Sequence, residues 1–288
     1  MDALRPDLGH FVRLGEGRCH YRVDGPPDGP VVLLIHGATV PGWEFDRFVP
    51  LLSAAGYRSI RPDLYGHGLS DRPRVHYGHA LFVRQLIELL DALGVDSRLH
   101  LLGHSLGAAL TARLVHAQPD RFASAVLCAP LVNYVANVPA TRALAWPVLG
   151  ECLMRAYVMP MLRRRRRRKY AEIDGAHFSE MFAAQLRIPG FERALLSMFR
   201  HGALGEQRDC YERLGVRDLP VLALRGGDDP IVTSDQMQIL SACLPRARLE
   251  EIPGAAHGFL LSHPERVADL IIGFLRATAG GIALATHS

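Results

Sequence analysis

The run Val31-Val32-Leu33-Leu34-Ile35 is apolar at every position, and a segment of this kind restricts the fold more than any other feature of the chain. A strand with one wet face alternates. A strand buried on both faces does not, and parallel sheets are built of such strands. Further short segments of this type follow at Tyr57 to Ile60, Leu99 to Leu102, Ala125 to Cys128 and Val221 to Leu224. Another, Ala247 to Ile252, is more polar and belongs nearer an edge. Helical patterns separate them. Phe82, Leu86, Leu89, Leu90 and Leu93 recur at three- and four-residue spacing, with Gly94 as a stop signal. Leu106 to Ala117, Ser234 to Ala242 and Pro264 to Leu275 read as helices as well. Strands alternating with helices specify an α/β fold with a mostly parallel central sheet and helices on both faces. Phe11 to Leu14 and Cys19 to Val23, separated by Gly15 and Gly17, read as an antiparallel hairpin ahead of it. The tail, Ala277 to Ser288, is expected to fray.

One stretch breaks the alternation. From Leu131 to about Arg208 no buried strand is evident, and the segment is rich in Arg, Met, Leu and Ala. Residues 131–208 are therefore expected to form a helical insertion, a cap, between two halves of one core (residues 1–130 and 209–288). In open α/β sheets ligands bind beyond the carboxyl ends of the strands, so an insertion there can cover a site.

With 288 residues and 49% hydrophobic composition the chain can bury a large core. Its formal charge of +4 is small, and much of the excess sits in one run, Arg163 to Lys169, so no nucleic-acid partner is expected. Five widely spaced cysteines without a CxxC pair read as reduced, buried thiols. Met1 to His10 has no apolar core of a signal peptide, and no apolar run is long enough to span a bilayer. A cytoplasmic protein with no transmembrane segment is expected.

The passage Leu99-His100-Leu101-Leu102-Gly103-His104-Ser105-Leu106-Gly107-Ala108-Ala109 carries the chemistry. It is G-x-S-x-G with an apolar strand before it and a helix after it. Ser105 has to sit on a sharp, strained turn to project its hydroxyl above the sheet. Side chains two residues either side would collide there, hence Gly103 and Gly107. The helix start aims backbone N–H groups at the same place, which suits a negative oxygen. A serine hydroxyl needs a base to take its proton. Of the 14 histidines, His257 has the right position, in a loop after the last strand and before the last helix. His36 reads as a brace for the loop it precedes. His104 adjoins the nucleophile with its side chain expected to point away from that of Ser105. His67 lies in a glycine-rich turn. An acid should follow the strand Val221 to Leu224, where Asp228 and Asp229 both qualify. The loop Ala129 to Gly150 contains no Asp or Glu, which excludes an acid after the preceding strand.

These pieces resemble the α/β-hydrolase family, and the resemblance covers nearly the whole chain. It is carried by His36-Gly37-Ala38-Thr39, Asp63-Leu64-Tyr65-Gly66-His67-Gly68-Leu69-Ser70, the Gly103 to Gly107 elbow, Gly226-Gly227-Asp228-Asp229-Pro230-Ile231-Val232 and Gly254-Ala255-Ala256-His257, in the family's order and spacing. Within the family the chain looks most like bacterial esterases and monoacylglycerol-lipase-like hydrolases with a helical cap. The resemblance implies Ser105 as nucleophile, His257 as base and Asp229, rather than Asp228, as the acid that orients it. It assigns one oxyanion donor to the N–H of Ala38, with Thr39 as the lesser candidate; the other is the N–H of Leu106, the residue after the nucleophile. The reaction implied is hydrolysis of a small carboxylic ester, with no cofactor and no metal. A carbon–carbon bond hydrolase, a lactonase or a perhydrolase would share this triad, and a non-catalytic receptor would share the scaffold. Epoxide hydrolases and haloalkane dehalogenases need Asp where this chain has Ser105.

Other motifs weigh less. Gly66-His67-Gly68 lacks the third glycine and the helix start of a dinucleotide fingerprint. No metal-ligand spacing is present. Seven consecutive cations, Arg163 to Lys169, would cover every face of a helix and so read as a solvated segment. The sharper reading is a weak electrostatic contact with an acidic membrane surface, partner or substrate. Leu153, Met154, Met159, Met161, Met181, Phe182, Phe191 and Met198 read either as the lining of an acyl pocket or as packing between cap and core.

Overall fold

The structure is a computed structural model, and it describes residues 9–96, 98–137, 139–164 and 177–285. The Arg163 to Lys169 run lies outside the described residues from position 165 onward.

Eight strands form one sheet in the order β1-β2-β4-β3-β5-β6-β7-β8. They are β1 (His10–Leu14), β2 (Gly17–Asp24), β3 (Val31–Ile35), β4 (Arg58–Pro62), β5 (Leu99–His104), β6 (Phe122–Cys128), β7 (Val221–Gly226) and β8 (Arg248–Ile252). β1 and β2 form the expected antiparallel hairpin, and β2 joins β4 antiparallel. From β4 to β8 every pairing is parallel. The more polar β8 lies at the edge.

Alternation along each strand separates two cores. Leu33, Ile35, Leu101 and Leu127 face one packed by helices α2 (His79–Ala92) and α3 (Leu106–Ala117). Val32, Leu34, Leu102 and Val126 face the other, packed by α1 (Val49–Ala54) and the helix Pro264–Ala285. Helices thus cover both faces, which is why these strands read as continuous apolar runs. The helix Pro264–Ala285 continues through most of the tail expected to fray. Its last turns are rich in alanine, the strongest helix former, which offsets Gly280 and Gly281.

Between β6 and β7 the described residues are mainly helical. They include the helices Leu149–Leu153, His177–Arg187 and Phe191–Arg200, and their β pairing is one isolated bridge, Asn133 to Glu206. This segment packs on the loops that follow β3 and β4. Phe178 stacks on Trp43, the Phe191 ring meets His67 edge-on, and Gln185 accepts a hydrogen bond from the Gly68 N–H. Met154, Met159, Phe182 and Met198 are buried in the core cluster, whereas Met161 is exposed and Met181 borders a cavity of about 230 Å³ beside Trp43 and Leu69. All five cysteines are free, and four are buried. The exception is Cys152, which faces solvent from a helix whose opposite side, at Gly150 and Met154, is buried.

Candidate functional site

Ser105 joins the end of β5 to the start of α3 with φ 54° and ψ −112°, a region that residues with a Cβ rarely adopt. The turn is pinned from two sides: the Ser105 N–H donates to the Cys128 carbonyl at 2.8 Å, and the Ser105 carbonyl accepts from the Leu131 N–H. The glycines around it are sterically required. A Cβ on Gly103 would lie 2.1 Å from the Gly107 carbonyl oxygen, and one on Gly107 would lie 2.0 Å from that of Ile35. Leu106 is the first residue of α3, so its N–H has no carbonyl one turn earlier in the helix.

The loops after β7 and β8 bring Asp229 and His257 together. The Asp228 N–H donates to the Ala255 carbonyl and the Gly227 N–H to that of Ile252, which ties the two loops side by side. Asp229 is buried, and its Oδ2 lies 2.8 Å from Nδ1 of His257. Its Oδ1 accepts the N–H groups of Ile231 at 2.8 Å and Val232 at 3.0 Å. Burial alone would raise the Asp229 pKa, but the hydrogen bond and charge of His257 and the two backbone donors bring it below the ordinary carboxylate value. Asp229 is therefore ionised at neutral pH. The Nδ1 proton of His257 points to it, which leaves the lone pair of the neutral ring on Nε2. Asp228, one residue earlier, is exposed.

The loop after β3 runs against the elbow. A Cβ on Gly37 would come within 3.3 Å of the Ser105 Cβ. Three buried side chains set the peptide groups of this loop. Glu44 accepts the Gly37 N–H at 3.1 Å. His36 accepts the Leu64 N–H on Nε2, so its Nδ1 carries a proton and donates to the Gly37 carbonyl at 2.7 Å. Because the peptide is trans, the Ala38 N–H points away from the carbonyl that His36 holds. His67 Nε2 lies 2.8 Å from the Ala38 carbonyl oxygen. Burial pushes His67 down to about 3, so it is neutral, and burial likewise lowers His36.

Sequence reasoning missed one member of this arrangement, Glu44, and assigned no partners to another, His104. His104 bridges Glu44 and the loop of His257. Its Nδ1 lies 2.8 Å from Oε1 of Glu44, its Nε2 lies 2.8 Å from the His257 carbonyl oxygen, and the two rings are 4.8 Å apart. Burial would raise the Glu44 pKa, but the charge and contact of His104, with the Gly37 N–H, hold it at about 2. The only hint of Glu44 in the sequence is an acid placed between Trp43 and Phe45, an apolar setting in which a carboxylate needs a partner. A second buried pair, His20 Nδ1 and Asp63 Oδ2 at 2.7 Å, belongs elsewhere. Asp63 also accepts the Gly42 and Leu69 N–H groups, so it fastens β2 to the loops after β3 and β4.

Among the described residues no group of three or more His, Cys, Asp or Glu side chains is arranged to hold a metal ion, and no helix is long and apolar enough to cross a membrane.

The residues gathered here come from loops after β3, β5, β7 and β8, all at the carboxyl end of the sheet. β3 and β5 are neighbours with their onward connections leaving in opposite directions, the point at which open α/β sheets bind ligands. Comparison with known proteins agrees. The chain is 27% identical over 278 residues to the non-heme chloroperoxidase of Streptomyces lividans, covering 89% of this chain and 95% of that one. It is 26% identical over 274 residues to the bifunctional esterase/perhydrolase of Acinetobacter calcoaceticus, covering 89% and 95%. The enol-lactonase of Burkholderia xenovorans LB400 shares the fold, with a TM-score of 0.77 at 21% identity over 93% of this chain and all of that one. A model of the alpha/beta hydrolase family matches residues 32–270, and with the loops at the end of its sheet arranged as they are, the chain belongs to that family.

Proposed function

We propose that the protein hydrolyses carboxylic esters through an acyl-enzyme on Ser105. In this reading Ser105 Oγ attacks the ester carbonyl while His257 Nε2 takes its proton. Asp229 holds the imidazole in the right tautomer and stabilises its charged form. The N–H groups of Ala38 and Leu106 receive the oxyanion, each worth about 3 kcal/mol of transition-state stabilisation. His257 then protonates the leaving alcohol and activates the water that releases the acid. No step calls for a cofactor or metal. Residues 131–208 act as a cap that selects substrates and limits water.

The observation that carries the proposal is the buried Asp229–His257 pair, set in the loops beside the strained turn at Ser105. Relatedness to an esterase/perhydrolase supports an acyl group as the fragment transferred. The same relative favours one second reading, a perhydrolase, in which hydrogen peroxide rather than water takes the acyl group from Ser105.

The test is a rate profile on p-nitrophenyl esters of graded acyl length, with a dienoate substrate and added peroxide as further arms, and trapping of Ser105 by a fluorophosphonate read by mass spectrometry. Turnover of esters with labelling at Ser105 is the expected result. Labelling without ester turnover would move the substrate to the other serine-dependent reactions. Absence of both would remove catalysis by Ser105.

A further inference from the structure

Large apolar side chains left in solvent are unevenly distributed. Among the described residues eight are exposed, and five of them, Trp146, Val148, Leu149, Tyr157 and Met161, fall within sixteen consecutive positions. Trp146, Val148 and Tyr157 are 65%, 75% and 69% exposed. Isolated exposed hydrophobic residues are ordinary, but a concentration of this kind marks an interaction surface.

The backbone keeps the helical members of this group on one side. Residues 149–164 run helically, with one wider turn over Met154–Val158 in which the Met159 N–H reaches the Met154 carbonyl five residues back. The buried positions Gly150, Met154 and Met159 are spaced by four and then five, and the exposed Cys152, Tyr157 and Met161 by five and then four. The single wide turn thus holds an inner and an outer face in phase where a regular helix would rotate them. At the head of this helix Val148 has φ 63° and ψ −55°, and the Leu149 N–H donates to the Pro147 carbonyl at 2.7 Å. That is a γ-turn of the rare, strained hand, here on a β-branched residue. Nothing buries Val148 in return for the strain.

The charge around this face is mostly positive. Residues 139–164 contain Arg142, Arg155, Arg163 and Arg164, all exposed, against one acid, Glu151, which Arg200 already grips with two hydrogen bonds. Beside the helix a cleft of about 490 Å³ adds Arg72, Arg74 and Arg193 with one further acid, Glu192, which pairs with Arg155 at 2.9 Å. The guanidinium groups of Arg72 and Arg193 are bonded to backbone carbonyls, not to carboxylates. Two copies of such a face would repel each other, so charge complementarity favours an anionic surface over a second copy of this chain.

The geometry points to the outer face of helix 149–164 and the turn before it as a docking surface for a bilayer that carries anionic phospholipid headgroups. Val148, Leu149 and Met161 enter the boundary of the acyl chains. Trp146 and Tyr157 lie at headgroup level, where a ring with one polar end is most stable. The arginines meet the phosphates. The protein lies on the surface without spanning it. This inference stands independently of the ester reading, because it concerns a face that contains none of the residues proposed for catalysis.

The chain has two tryptophans, Trp43 and Trp146, so Trp43→Phe leaves Trp146 as a unique reporter. Vesicles of phosphatidylcholine alone, and with an equal part of phosphatidylglycerol, are the probes. The expected result is co-sedimentation with the mixed vesicles only, a blue shift of Trp146 emission, and quenching by brominated lipid. Arg164→Gln should lower partitioning about fivefold, and added salt should mimic it. Val148→Ser with Tyr157→Ser should weaken binding at unchanged charge. If Trp43→Phe does not fold, loss of the spectral shift in Trp146→Phe reads the same contact. No binding to mixed vesicles overturns the proposal. So does binding with unshifted Trp146 emission, or an emission shift that follows protein concentration without vesicles, which would assign the face to a second copy.

Discussion

Nε2 of His104 lies 2.8 Å from the carbonyl oxygen of His257, while the other nitrogen of the same ring lies 2.8 Å from Glu44. Glu44 in turn takes the Gly37 N–H. One buried imidazole and one buried carboxylate therefore set the spacing of three loops that meet at Ser105. Glu44→Gln keeps the shape and removes the charge. We expect kcat on a short ester to fall by up to about 100-fold with KM little changed, because the loss is one of alignment at the reacting centre. An equal rise in KM with kcat intact would show that the pair serves substrate binding instead.

The pairing of Asp229 with His257 separates two adjacent aspartates. Ser105→Ala and His257→Ala should each lower kcat by about 10⁶, and Asp229→Asn by about 10⁴, whereas Asp228→Asn should change it less than threefold. With His257 as base, kcat/KM should rise with pH through an apparent pKa of roughly 6 to 7. A flat profile with chemistry rate-limiting contradicts that base, and the reverse ranking of the aspartates contradicts that acid.

Gly107 has no room for a methyl group, since its Cβ would lie 2.0 Å from the Ile35 carbonyl oxygen. Gly107→Ala should destabilise the fold by about 3 kcal/mol or more, read from the urea midpoint. Gly56→Ala should cost less. No atom lies within 4 Å of its Cβ position, although its φ of 92° still carries a conformational penalty.

Acid should unfold the protein in two stages. Burial lowers His67 from 6.5 to about 3 and His100 from 6.5 to about 4. As pH falls below 6.5, the unfolded chain binds protons that the folded chain refuses, so stability is lost from that point downward. Glu44 and Asp63 are held at about 2, from 4.5 and 3.8, against their burial, by His104 and His20 respectively. Their contribution is present above the unfolded values and is lost as pH falls toward 2. Each group adds at most about 1.4 kcal/mol per pH unit within its window. Urea midpoints between pH 7 and 4 measure the first stage, and His100→Gln should flatten it. An unchanged slope in that variant would remove His100 from the account.

Much of the site was legible because strong local constraints carry it. An elbow needs glycine at 103 and 107, and a parallel sheet needs strands apolar throughout. The choice of Asp229 over Asp228 came from the family resemblance, since turn chemistry by itself does not resolve the doublet, and Asp229 is the one that meets His257. Glu44 and the partners of His104 were not legible. Their meaning depends on contacts across 60 and 153 positions, and a lone acid in a loop has no periodicity to reveal its partner. The tail was misread because alanine-rich sequence looks featureless yet favours a helix. The seam of exposed apolar residues at 146–161 escaped notice because one wide turn shifts the phase that a regular helical period assumes.

Asp229 and His257 follow the last two strands, while Ser105 follows the fifth. The order of synthesis therefore matters. A ribosome that has released the first 200 or so residues has made Ser105 on its turn and the loop that faces it, but neither Asp229 nor His257. His104 at that stage lacks the carbonyl it will hold. On the proposed triad, the nascent chain passes most of its elongation with a serine that nothing activates, and reactivity arrives only once His257 is made, when little of the chain is left unprotected from it.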